Sequence, residues 1–361
     1  MLYLEILARE FGFPIINKDI NIWFFRTQSG IYYYDFFANN YIALGWDLLP
    51  YSLVDDANKT YEQKKEFVLE QYPDEKRPGL ILGQMATFYK KMKNNDLVII
   101  PASGGKRIAI GVLGDFVEQI IRNDQDEEYI KCNYSHKRKV TWLKEIDLYT
   151  DVYLYKVLRA QQTISNISNY SYMIYRNLHP CYLCDDGLHL TLRKNTNTDF
   201  RIKNSVNLQK AILDIDDNVT QYFNLENKGD EIVVKTAVGS PGFIEIILPY
   251  LSSSIITGAI VFRAICGKTK TKDGTTETGL MAILSKGNEL LNDYYGRKKT
   301  VAETKLIEAQ TRKTLAEAES VEISNEKQRN AVNCIAEKER QLIIATEDSG
   351  IKFEKQLDKV V

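Results

Sequence analysis

The run Asn94-Asn-Asp-Leu-Val-Ile-Ile-Pro101, followed after Gly104-Gly105 by Arg107-Ile-Ala-Ile-Gly-Val112, decides the fold. An amphipathic helix ends in Gln84-Met-Ala-Thr-Phe-Tyr-Lys-Lys-Met-Lys93, Asn94 to Asp96 break it, and the apolar residues from Leu97 begin a strand. Gly104-Gly105 tolerates positive φ and turns the chain back, which makes Arg107 to Val112 the partner strand of a hairpin. Tyr129 to Tyr134 and Val140 to Ile146 predict two further strands, joined by the basic turn His136-Lys-Arg-Lys139. Four short strands with turns between them predict a small β-barrel within an α+β chain.

Toward the amino terminus, Leu2 to Phe11 has helical spacing that Pro14 ends, and Asn21 to Gln28 is strand-like. Trp23-Phe-Phe25 and Tyr32-Tyr-Tyr-Asp-Phe-Phe37 admit an aromatic cage, although a barrel this small fills its own interior with such residues. Tyr61 to Tyr72 and Leu80 to Met92, separated by Pro73 and Pro78-Gly79, are predicted to flank the barrel as helices. Three basic clusters, Lys90 with Lys91 and Lys93, Lys106 with Arg107, and Lys137 with Arg138 and Lys139, would form a phosphate-binding patch if they converged. The alternative is a set of solvated turns.

Trp23, Phe36, Ile42-Ala-Leu-Gly-Trp46, Phe88, Asn95-Asp-Leu-Val98, Pro101, Ile110-Gly111, and His136 with Arg138, Val140 and Trp142 together resemble the amino-terminal domain of Mrr-like restriction proteins. That domain is similar to the PUA, EVE and YTH superfamily of small barrels, many of which bind nucleic acid or a modified base. The resemblance covers roughly residues 1–150 and implies a PUA-like recognition domain in which Trp23 and Trp46 are cage candidates. The expected ligand-binding set is Trp23, Arg26, Trp46, Lys106, Arg107, Lys137 and Arg138.

With 361 residues there is length for more than one core, and a formal charge of −1 confines any contact with nucleic acid to a local patch. Five scattered cysteines and an opening stretch interrupted by Glu5, Arg9 and Glu10 favour a reducing cytoplasm. His179, Cys181, Cys184 and His189 are the one candidate zinc set, set against an ordinary hairpin in which Leu188 to Arg193 alternates as a strand.

The expected divisions are 1–195, a recognition domain with a helical extension; 196–285, an assembly module; and 286–361, a long charged helical tail. In the second, Val206 to Phe223 is a helix, and Glu231 to Val238 and Phe243 to Leu248 are strands about Gly239-Ser-Pro-Gly242. This unit loosely resembles uncharacterised bacterial proteins and names no activity. Leu251 to Cys266 is apolar but short for a bilayer span, with Glu245 and Arg263 at the ends of the longer run, and suits a buried core or subunit contact better; if it inserted, Lys268, Lys270 and Lys272 would lie on the cytoplasmic side. Leu280 to Gln341 is charged and helical, interrupted at Gly287 and Gly296, and residues 243–361 are expected to join copies of the chain.

No catalytic set stands out. Glu62-Gln-Lys64 has nuclease-like spacing inside a helix, and Gly267-Lys-Thr269 lacks the glycine that a phosphate loop needs where Phe262 stands. No enzyme activity and no cofactor is expected. Three readings follow: a module that recognises nucleic acid or a modified nucleotide, joined to a self-assembling region in bacterial antiphage defence; a defence effector that docks on a membrane through residues 251–266; and a nuclease-associated restriction component.

Overall fold

The structure is a computed structural model describing residues 2–17, 19–120, 129–194, 202–225, 228–237, 242–266, 280–303, 317–349 and 351–352. It is α+β and divides into two compact units. The N-unit takes in Lys18–Leu178, and the C-unit combines Met1–Asn17 with His179–Gln356. The boundary expected near residue 195 therefore falls at 178, and the first helix, α1 (Leu2–Glu10), belongs to the C-unit.

The N-unit contains β1 (Ile22–Phe25), α2 (Tyr33–Ala38), β2 (Tyr41–Leu44), α3 (Ser52–Asp55), α4 (Tyr61–Gln71), α5 (Pro78–Ala86), β3 (Leu97–Pro101), β4 (Arg107–Val117), β5 (His136–Asp147), β6 (Ile164–Asn166) and α6 (Ser171–Leu178). Its sheet runs β2-β5-β4-β3-β1-β6, with β1 parallel to β3 and every other neighbour antiparallel. The expected barrel is an open half-barrel: among the described residues β2 and β6 are edges with one neighbour each. Two register shifts between β4 and β5, at Ile110/Gly111 and Leu113/Phe116, add twist and bend the pair. Gly111 permits the first, because a Cβ there would lie 2.4 Å from Val140 Cγ1.

One core cluster holds Trp23, Phe25, Phe36, Tyr41, Ile42, Phe88, Val98 and Ile100, with about 1.5–3 kcal/mol of burial for each apolar member. The aromatic stretch thus serves mainly as core. A capping box between Thr60 and Gln63 starts α4, and α5 continues into a π-helical turn, Thr87–Lys91.

Two strand expectations are corrected. Tyr129 to Tyr134 forms no strand, since the backbone N–H of Cys132 donates to the buried Asp35 carboxylate at 2.6 Å instead of joining the sheet. His136-Lys-Arg-Lys139 is not a turn but the start of β5, paired with both β2 and β4. Its alternation puts His136, Arg138 and Val140 inside and leaves Lys139 exposed.

The C-unit adds β7 (Cys181–Cys184), β8 (Gly187–Lys194), α7 (Ile202–Phe223), β9 (Val233–Ala237), β10 (Gly242–Leu248), α8 (Ser252–Cys266), α9 (Leu280–Glu303), α10 (Glu317–Ser349) and β11 (Ile351–Lys352). An antiparallel sheet, β11-β8-β10-β9 with β7 also on β8, presents Leu188, Leu190, Leu192, Ile244, Ile246 and Leu248 to the core shared with α7 and α8. Ile255, Ile256, Ala259, Ile260 and Val261 of α8 are fully buried there, and no described helix is long and apolar enough to cross a membrane. Of the expected roles of this stretch, buried core or subunit contact rather than membrane span, its burial in the chain's own core is what these residues show.

Lys338 of α10 lies 2.9 Å from Asp214 of α7, and Arg263 of α8 pairs with Glu339 of α10, so the charged helical region also packs internally. α9 passes through Gly287 and Gly296 without a break. At Gly287 the lack of a side chain allows close approach, with an added Cβ only 3.1 Å from Ile256 and Phe223. Lys268, Lys270 and Lys272, the linker 195–201 and most of the expected Gly239–Gly242 turn lie outside the described residues.

Candidate functional site

The predicted binding set does not assemble in one place. Trp23 is 4% exposed, and its indole N–H donates to Asp96 Oδ2 at 2.8 Å, which makes it part of the core rather than of a cage. Arg138 is 1% exposed; its guanidinium donates to the carbonyls of Gly114 (2.8 Å) and Met92 (2.7 Å) and to Asn94 Oδ1 (2.8 Å), and lies over the Phe116 ring. It binds backbone, not phosphate. Lys137 pairs with Val117 at one end of the β4–β5 ladder, while Arg107 pairs with Asp147 at the other, a separation of roughly 30 Å along the strands. Lys106 and Arg107 therefore cannot share a small ligand with Lys137, and the expected convergence fails.

Trp46 is the member that remains near other aromatic groups. It follows β2 at φ 67, a left-handed conformation costing on the order of 1 kcal/mol that the loop must hold by other means. The Trp46 carbonyl accepts from Leu49 N at 2.9 Å and faces His136 Nε2 at 3.2 Å. Asp47 accepts from the backbone N–H and hydroxyl of Ser135, and the Tyr134 ring covers Gly45, where a Cβ would come 3.3 Å from Cζ.

From the opposite flank the π turn projects Tyr89 toward the same histidine, with Tyr89 Oη 2.5 Å from His136 Nδ1. Burial, then the neighbouring Tyr51, pushes the Tyr89 phenol up to about 12, so at neutral pH it keeps its proton and donates. A carbonyl can only accept; hence His136 carries its hydrogen on Nε2, and the chain runs Tyr89 O–H to His136 Nδ1, then His136 Nε2–H to Trp46 C=O.

Tyr89 also stacks on Phe116 (5.0 Å between centroids, 26°) and lies 5.6 Å from Tyr51. Phe116 is 44% exposed and Tyr51 60% exposed, so the cluster opens to solvent. A half-buried Trp46, a π turn and a β-bulge beside Phe116 meet at one place, and each is a local irregularity typical of sites that re-aim side chains. Flat aromatic faces held by hydrogen bonds offer stacking to a planar ligand. Tyr89 carried no signal along the chain because helical periodicity does not announce a π turn, and Tyr51, before α3, and Phe116, in β4, are brought to it only by the fold.

Of the remaining cations, Arg26 and Arg107 lie elsewhere, whereas Lys137, next to His136 and opposite Val117, is at the cluster's end of β5. Arg26 is exposed and donates to the Ala160 carbonyl at 2.8 Å; Arg107 bonds Tyr34 Oη at 2.9 Å and pairs with Glu145. Lys137 donates to Glu118 O at 3.3 Å.

In the C-unit the expected zinc set is also separated. β7 and β8 form the hairpin, with Tyr182 opposite His189 and Cys181 opposite Leu190, so Cys181 and His189 face opposite sides of the sheet. Among the described residues no group of three or more histidine, cysteine, aspartate or glutamate side chains is placed to hold a metal. His189 instead lies between Glu245 Oε1 (3.2 Å) and Asp186 Oδ1 (3.0 Å), stacked on Tyr182.

Burial alone would push the His189 imidazolium down, but the two carboxylates more than offset it and the net shift is up. A raised folded pKa gives stability that is complete below the unfolded value and is lost as pH rises through the folded one. Thermal unfolding of the C-unit is therefore expected at lower temperature at pH 9 than at pH 6, and His189→Gln should flatten that slope. An unchanged slope in the variant would remove His189 as its source.

Residues 24–168 are similar to the family model described as "Domain of unknown function (DUF8426)". The matched range covers most of the six-stranded sheet and every member of the Trp46 cluster. No curated protein and no solved structure matches the chain.

Proposed function

We propose that the N-unit is a PUA-like nucleic-acid recognition module that stacks a base, modified or unmodified, on the aromatic cluster around Trp46. The observation that carries this reading is the solvent-open group Tyr51, Tyr89 and Phe116, tied to the backbone of the half-buried Trp46 by the hydrogen-bond chain through His136. The half-barrel supports it as a rigid scaffold with loops at the strand ends. The setting in antiphage defence rests on the resemblance to Mrr-like domains alone.

Binding of labelled single-stranded DNA and RNA oligonucleotides to the full chain, at low salt and with modified bases included, tests the reading. Trp46→Ala and Tyr89→Ala are each expected to weaken binding by roughly tenfold or more, the scale of one lost base stack. Absence of any nucleic-acid binding, or parental affinity in both variants, would sink it.

A further inference from the structure

The segment Val152–Arg159 is a 3₁₀ helix, in which residues three apart eclipse one another and the side chains fall into three ridges. Asp151, Leu154 and Val157 point inward: the two apolar side chains are fully buried, and Asp151 is held by Arg176 at 2.8 Å and Asn177 at 2.8 Å. Val152, Tyr155 and Leu158 form a second, apolar ridge whose first two members are exposed. Tyr153, Lys156 and Arg159 form a third that is exposed throughout, with Lys156 Nζ 5.5 Å from the Tyr153 ring centroid.

Two contacts bring further cations beside these ridges. Leu148 N donates to Lys106 O at 2.9 Å, and a Cβ on Gly105 would stand 2.8 Å from Leu158 Cδ1, so the β3–β4 turn carrying Lys106 lies against the 3₁₀ helix. The Arg26 guanidinium reaches Ala160 O, one residue beyond Arg159. Lys106, Lys156 and Arg159 are exposed and among the described residues have no carboxylate partner. The nearby acids are engaged: Glu145 with Arg107 and Tyr33, Asp147 capping Tyr149 N, and Asp151 with Arg176.

We propose that this surface is a second nucleic-acid contact, with Lys106, Lys156 and Arg159 taking backbone phosphates and the exposed Tyr149 and Tyr155 stacking against bases. It deepens the reading above, on which it rests for the class of partner. The surface lies at the Asp147 end of β5, whereas the Trp46 cluster lies at the His136 end, so a strand touching both must extend on the order of nine steps of 3.4 Å. Unneutralised cations interleaved with tyrosine faces suit a polyanion with planar groups better than an apolar or acidic protein surface. A charge of −1 over the whole chain hides such a patch from composition.

The test measures the affinity of the full chain for a 20-nucleotide single strand, of the order needed to reach both surfaces, against salt concentration. Lys156→Gln with Arg159→Gln, both at exposed positions, is expected to shallow the slope of log K against log salt by about 1.4, or about 0.7 per lost phosphate contact. Trp46→Ala should weaken binding with the slope unchanged. A parental slope in the double variant would overturn the second contact and leave the aromatic reading intact. A parent chain that binds no nucleic acid would overturn both, and if it instead bound vesicles containing phosphatidylserine, with loss in the double variant, the ridge would belong to a membrane surface.

Discussion

Arg138→Met is expected to lower the unfolding temperature of the N-unit by roughly 6–12 °C, the equivalent of about 3 kcal/mol in a unit of this size. The guanidinium is buried and joins four acceptors from two stretches of chain: Gly114 in β4, and Phe88 in the π turn with Met92 and Asn94 in the turn that follows. Methionine fills similar space but leaves those acceptors without donors, at about 1–3 kcal/mol for each that water cannot reach. Burial pushes the Arg138 pKa down and the nearby Asp96 and Asp115 oppose that; a guanidinium stays charged in a protein, so the lost interactions are charge-assisted ones. Lysine should restore less than half, because one ammonium cannot reproduce the planar fork. Calorimetry or circular dichroism decides the matter: a shift under about 2 °C would show that the network contributes little. Since Arg138 also lies 4.8 Å from the Phe116 ring, the same variant should loosen the Tyr89–Phe116 stack.

Gly187→Ala is the corresponding experiment in the C-unit, with an expected loss of roughly 3–5 kcal/mol from steric overlap and backbone strain together. Gly187 adopts φ +143, and a Cβ there would stand 2.0 Å from the carbonyl oxygen of Leu248. The obstacle is backbone of β10 in register with β8, where Leu248 pairs with Leu188, so it cannot swing aside as a side chain would. Relief requires the β7–β8 hairpin to lift from β10, which exposes Leu188 and Leu190. The variant should unfold its C-unit well below the parent, with the N-unit transition unmoved. Co-incident unchanged transitions would contradict the assignment.

The strands from Leu97 and Arg107 were legible because apolar runs and a glycine turn are local signals. The start of β5 looks like a charged turn in the sequence because inward Arg138 breaks the rule that cations face solvent. The parallel pairing of β1 with β3 joins residues more than seventy apart and leaves no local trace. Nor could the membership of α1 in the C-unit be read, since helical spacing shows that a helix has an apolar face but not what covers it. Trp46 was a candidate only through the resemblance to Mrr-like domains, while Tyr51, Tyr89 and Phe116 come together, and reach the Trp46 backbone through His136, only in the folded half-barrel. The basic residues told the same story in reverse: sequence proximity grouped Lys137 with Arg138, whereas the sheet put one outside and the other inside.

The C-unit is assembled from both extremities of the described chain, with Leu7 and Ala8 of α1 in its core and Ile351 and Lys352 closing its sheet on β8. During synthesis at about 5–20 residues per second, the N-unit is complete while most of its companion is still untranslated. For on the order of tens of seconds, then, the apolar side of α1 waits at the ribosome exit for partners encoded more than two hundred codons downstream. Over that interval the apolar side of the first helix lacks the α8 surface that it packs against in the folded C-unit.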